Sequence, residues 1–124
     1  MIFVFGGIYQ GKLDYVKENY EVTQIIDCKN LEPQSFSEGT VLSNFEYFIN
    51  TMLEKDIDPV KYIKDNINKF KEIIIIGNEI GLGVVPMKKE DRILRDNVGF
   101  IYQILSKEAK SVVRVWNGLP MRIK

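Results

Sequence analysis

No histidine occurs among the 124 residues. That absence excludes any mechanism in which an imidazole carries a covalent intermediate, because no other side chain replaces it without changing the chemistry. Cysteine occurs once, as Cys28, which excludes an internal disulfide and fits a reducing compartment. Read locally, Cys28 is a small buried hydrophobe at a strand end. Net charge is missing too, since seventeen Lys and Arg balance seventeen Asp and Glu. That leaves no electrostatic basis for capturing DNA, RNA or a charged membrane surface. No apolar run approaches the ~20 residues of a membrane helix. The apolar opening is too short for a signal peptide and has no basic flank, so the expected location is the cytoplasm. The length fits one domain, residues 1–124, and is too short for two.

What is present begins with a loop. The apolar run Ile2-Phe3-Val4-Phe5 is followed by Gly6-Gly7-Ile8-Tyr9-Gln10-Gly11-Lys12-Leu13. This follows the pattern G-x-x-x-x-G-K-S/T except at its last position. In that pattern a strand delivers backbone N–H groups around phosphate oxygens, the lysine reaches the outer phosphates, and the final hydroxyl holds Mg²⁺. Here Lys12 is kept and the hydroxyl is Leu13. The expectation is an anion-binding loop, Gly6 to Leu13, that has lost its usual metal ligand.

Strand-like and helix-like segments alternate, as in an α/β sheet with helices on its faces. Ile2 to Phe5 reads as a buried strand, Lys12 to about Tyr20 as a helix, and Val22 to Asp27 as a strand. Lys29 to Thr40 is polar, contains Pro and Gly, and reads as a loop with no regular element. Phe45, Phe48, Ile49, Met52 and Leu53 fall on one helical face. Asp58-Pro59 starts a further helix as N-cap and first-position proline, continued by Ile63, Ile67 and Phe70. The segment from Glu72 to Gly77 holds four consecutive isoleucines. Such a β-branched run suits a strand buried on both faces of a parallel sheet. A long helix is expected from about Lys88 to Ala109, and Val112 to Trp116 as a last strand.

The long helix carries an apolar stripe, Leu94, Val98, Ile101 and Leu105. Beside it runs a polar stripe, Arg92, Arg95, Asp96, Gly99 and Gln103. Mid-helix glycine costs about 1 kcal/mol relative to alanine, which suggests that something needs a close approach at Gly99. Upstream, Asn78-Glu79-Ile80-Gly81-Leu82-Gly83-Val84-Val85-Pro86 follows the isoleucine strand, at the strand end where α/β sheets bind ligands. Glu79 is therefore a candidate to hold a metal ion, orient a hydroxyl, or hydrogen-bond the turn.

These blocks resemble the adenosylcobinamide kinase/adenosylcobinamide-phosphate guanylyltransferase family of cobalamin biosynthesis. The family loop G-G-x-x-S-G-K-S aligns with Gly6 to Leu13, and its glycine-rich N-E-V-G block with Asn78 to Pro86. Its R-x-F-R-D-x-x-G-x-x-N-Q aligns with Arg92 to Gln103, and its closing G-I/L-P tail with Gly118 to Lys124. The resemblance implies a three-layer, P-loop NTPase-like (RecA-like) α/β fold with a mainly parallel sheet. It implies ATP or GTP as donor, a corrinoid acceptor, homo-oligomers, and catalytic roles for Lys12 and Glu79.

The departures bear on activity. Family members are longer between the loop and the isoleucine strand, where they supply the histidine that carries GMP. Both loop serines are replaced, by Gln10 and Leu13. The family's magnesium-binding aspartate corresponds either to Asp27 or, in altered form, to Asn44. One reading is a nucleotide-binding protein without guanylyltransferase activity and with reduced kinase activity. The alternative is an active ATP- or GTP-dependent kinase that uses Mg²⁺ despite Leu13. Trp116 and Tyr102 read as exposed and are candidate subunit contacts, although aromatic residues near a strand edge are more often core.

Overall fold

The isoleucine run forms the centre of the sheet, as its composition requires. In the computed structural model, which describes residues 1–30, 35–80 and 88–124, Ile73 and Ile75 face one core. Ile74 and Ile76 face the other, and none of the four is more than 5% exposed. A strand buried on both faces gains from apolar side chains at every position, which is why the run does not alternate.

The elements in chain order are β1 (Ile2–Gly6), α1 (Lys12–Asn19), β2 (Gln24–Asp27), β3 (Thr40–Ser43) and α2 (Phe45–Glu54). Then come α3 (Pro59–Asp65), β4 (Ile74–Asn78), α4 (Lys89–Glu108), β5 (Ser111–Trp116) and β6 (Leu119–Arg122). Short 3₁₀ turns lie at Cys28–Asn30 and Ile67–Phe70. The described strands form one sheet in the order β2-β3-β4-β1-β5-β6, parallel except for the last pair. Helix α1 covers one face through Val16, against Val4, Ile74, Ile76, Val113 and Val115. Helices α2, α3 and α4 cover the other through Phe45, Ile49, Ile63, Val98, Ile101 and Leu105, against Phe3, Leu42 and Ile75. This is the expected three-layer, P-loop NTPase-like α/β architecture.

Helix α3 starts as its sequence signal requires. The Asp58 carboxylate accepts from the Val60 and Lys61 N–H groups, and Pro59 occupies the first turn. Four readings need correction. The Lys29–Thr40 region is not without regular structure, since Cys28–Asn30 is a 3₁₀ turn and Thr40 opens β3. Strand β3 holds four residues, too few for a period-two signal, and tertiary pairing defines it. Helix α3 does not run on to Phe70. It ends at Asp65, where the Asn66 backbone and side-chain N–H groups both bond to the Tyr62 carbonyl, and the 3₁₀ turn follows.

Strand β5 is not last, because Asn117-Gly118 turns the chain back into β6. Finally, no close approach explains Gly99, since a Cβ there would meet nothing within 4 Å. Cys28 is fully buried, as read.

Because β4 is buried on both faces, Ile75→Ala should lower the unfolding free energy by about 2–5 kcal/mol. Ile25→Ala, at a half-exposed site on β2, should cost much less. Urea denaturation of the two variants checks this, and equal costs would contradict the layer assignment.

Candidate functional site

Strand β1 ends at Gly6, whose backbone passes so close to β5 that a Cβ would lie 2.4 Å from the Val115 carbonyl oxygen. No side chain fits there, so this glycine is sterically required. The loop then rises through Ile8 and Tyr9, which are 60% and 99% exposed. It re-enters at Gly11, which caps α1 with φ 90°, the left-handed region where glycine carries no Cβ penalty. The Tyr15 N–H donates to the Gly11 carbonyl at 3.0 Å, which closes the first helical turn.

Lys12 is buried, and its ammonium folds back over the loop to donate to the Gly7 carbonyl at 2.5 Å. Burial lowers its pKa from the usual lysine value, opposed by the charges of Glu46 and then Glu79. Leu13 is half-buried and packs with the α1-side core, and it also lines the loop pocket. That pocket measures about 270 Å³ and runs from Ile8 to Asp14, with Ser43, Asn44, Ile76 and Asn78 opposite.

Behind the pocket a polar chain crosses the strand ends. Asn44 Nδ2 donates to Asp27 Oδ1 at 3.4 Å, and Asn78 Nδ2 donates to Asn44 Oδ1 at 3.1 Å. Asn78 also donates to both Glu46 oxygens, from its backbone N–H at 3.2 Å and from Nδ2 at 2.6 Å. The Tyr102 hydroxyl donates to the Asn78 carbonyl at 2.8 Å. Asn44 therefore faces the pocket directly, while Asp27 is one strand further out.

Glu79 lies beside the loop by its backbone only, with its N–H donating to the Gly6 carbonyl at 2.8 Å. Its carboxylate turns to the α4 side, where Arg114 holds it in a bidentate pair at 2.6 and 3.1 Å. There it lines a separate cleft with Phe5, Arg95, Gly99 and Tyr102. The rest of its sequence block, Gly81 to Pro86, lies outside the described residues.

Beyond Tyr9 and Gln10 of the loop itself, the side-chain oxygens that line the loop pocket come from Ser43, Asn44, Asn78 and the exposed Asp14. Among the described residues no group of three His, Cys, Asp or Glu is placed to hold a metal ion. Mg²⁺ prefers one or two carboxylates plus water and phosphate oxygens. The donors here fit it poorly, since Leu13 offers none and Glu46 is taken by Asn78.

Sequence reasoning missed Glu46 and Arg114. Glu46 is a lone acid in the first turn of an apolar helix, directly after a strand end, and that position was the available signal. Arg114 lies within the segment expected as the last strand, and nothing local marks it as the partner of Glu79. Tyr102 was read as exposed, but its ring packs on Phe3 with centroids 5.0 Å apart and burial pushes its phenol pKa up.

Two comparisons with known proteins bear on these residues. A family profile described as cobinamide kinase / cobinamide phosphate guanyltransferase matches residues 19–123. The match begins after the glycine-rich loop. The bifunctional adenosylcobalamin biosynthesis protein CobP of Pseudomonas aeruginosa is 38% identical over 52 residues, which is 42% of this chain and 30% of that protein. The chain thus aligns with under a third of that relative's length. Among the described residues no helix is long and apolar enough to cross a membrane. With the profile spanning most of its length, the chain belongs to the cobinamide kinase / cobinamide phosphate guanyltransferase family.

Proposed function

We propose that this family member is a cytoplasmic nucleotide-binding protein that retains anion capture, lacks guanylyl transfer and has at most slow kinase activity. The observation that carries this reading is Lys12, buried at the first position of α1 and folded over the loop carbonyl of Gly7. A buried ammonium at a helix N-terminus is matched to an anion, and the loop amides and helix dipole add to the same attraction. ATP or GTP would place its outer phosphates there, and a corrinoid is the acceptor class by family. Phosphoryl transfer is mostly positioning plus charge neutralisation. Lys12 supplies charge, and Leu13 withholds the hydroxyl that would seat a metal. Guanylyl transfer through histidine is closed to a chain with none.

The alternative, an active kinase, draws support from Glu46, whose charge acts on Lys12 more than that of Glu79 does. Titration with ATP and GTP, with and without Mg²⁺, tests both readings. Lys12→Ala should weaken binding on the order of tenfold to a hundredfold, the worth of a charge-assisted hydrogen bond. Leu13→Ser should increase the dependence on Mg²⁺. Strong magnesium-dependent turnover by the wild type would favour the kinase.

The lowered pKa of Lys12 also sets a pH dependence. The free protein loses this proton at lower pH than an ordinary lysine, and anion capture needs the ammonium. Affinity should therefore decline as pH rises through that lowered value. Lys12→Arg, whose guanidinium stays protonated, should flatten the decline in a calorimetric pH series.

Self-association is proposed from the outer face of the β5–β6 hairpin. Trp116, Leu119, Met121 and Ile123 are 59%, 69%, 41% and 60% exposed, and the strand register puts Trp116 opposite Leu119. Exposed apolar clusters of this kind mark interaction surfaces. Light scattering on the double variant Trp116→Glu, Leu119→Glu should show a smaller particle than the wild type.

A further inference from the structure

Gln10 stands where the family pattern has serine, and its side chain makes one contact that a serine would not reach, beside a backbone bond that any residue there could make. Its side-chain Oε1 accepts from the Asn117 backbone N–H at 2.7 Å. Its own carbonyl accepts from the Gly118 N–H at 2.8 Å. Asn117 and Gly118 are the turn between β5 and β6, with φ of 50° and 75°. Positive φ at both residues is the type I′ hairpin geometry that Asn-Gly favours. In the same region a Cβ on Gly11 would lie 3.3 Å from Gly118 Cα, so loop and turn touch through their backbones.

We infer that Gln10 is a positioning residue that latches the glycine loop to the β5–β6 hairpin and couples anion binding in the loop to the position of the hairpin. This rests on the phosphate-binding reading of the loop. The physical argument is pre-organisation. Loop amides converge on an anion only if the backbone holds one shape, and a loop already held by two outside hydrogen bonds loses less freedom on binding. Serine ends one bond beyond Cβ, whereas the glutamine oxygen lies three bonds out, which is the reach that Asn117 requires. The coupling runs both ways, because an anion that tightens the loop pulls on Asn117 and so on Trp116 beside it. Trp116 is the one tryptophan of the chain and is 59% exposed, so its fluorescence reports this movement.

The test is titration with inorganic tripolyphosphate, followed in parallel by calorimetry and by Trp116 fluorescence. It uses the full chain as wild type, Gln10→Met and Lys12→Ala. Methionine keeps the bulk of glutamine and removes the acceptor. Wild type should bind with a fluorescence change. Gln10→Met should bind about three- to tenfold more weakly, the loss of one hydrogen bond, and lose the fluorescence response. Wild-type affinity and response in Gln10→Met overturns the latch, and so does weaker binding with an undiminished response. If Lys12→Ala binds as the wild type does, or the wild type does not bind, the phosphate-binding reading itself fails and the latch with it. Hydrogen exchange at the Asn117 amide gives a second readout on the unmutated chain. Tripolyphosphate should slow it, and unchanged exchange at saturation overturns the coupling.

Discussion

Strand β1 lies between β4 and β5, in register Gly6 to Asn78 and Phe5 to Arg114, and everything at the site depends on that placement. Parallel pairing brings the carboxyl ends of neighbouring strands to one edge of the sheet. The loop after β1, the Asn78-Glu79 pair at the end of β4 and Arg114 of β5 are therefore adjacent without any local sequence relation. The carboxyl end of β4 makes this register costly to change, since a slip of one residue would bring a side chain to the place of Gly77, where a Cβ would lie 2.2 Å from the Tyr102 hydroxyl oxygen. The close passage of Gly6 under the Val115 carbonyl then sets where the loop can leave the sheet.

Around that edge the electrostatics divide into two groups. On the loop side, Lys12 is desolvated and feels the charge of Glu46, which is itself engaged by both nitrogens of Asn78. On the α4 side, Glu79 and Arg114 satisfy one another. A buried charge without a partner is expensive, and this arrangement leaves Lys12 as the charge whose partner here is only a carbonyl oxygen. That is why the anion-binding proposal rests on the loop pocket rather than on the larger cleft by α4.

The chain carries a glycine loop ahead of the segment that matches its family, and it lacks histidine and a hydroxyl at Leu13. Binding and chemistry place different demands on such a site. On the proposed reading, binding needs donors and a cation, which the loop amides and Lys12 would supply. Turnover would need a metal and an activated acceptor as well, and that is the demand on which the proposed reading expects the site to fall short.

Much of this was legible in the residues because the physics is local. Four isoleucines admit a two-sided strand, Asp58-Pro59 caps a helix by geometry spanning three residues, and the spacing of Gly6, Gly11 and Lys12 defines a loop before a helix. Strand β3 was not legible, because four residues carry no period and only pairing with β2 and β4 makes them a strand. Asn44 over Asp27 at the pocket, Glu46 bonded by Asn78, Arg114 on Glu79 and the bond from Asn117 to Gln10 were not legible either. Each depends on strand order, and the order β2-β3-β4-β1-β5-β6 is chosen by burial of both sheet faces at once. The sequence by itself determined which groups are available to the site. Which of them meet was decided only by the tertiary structure, because contacts between distant residues follow from how the whole sheet is buried.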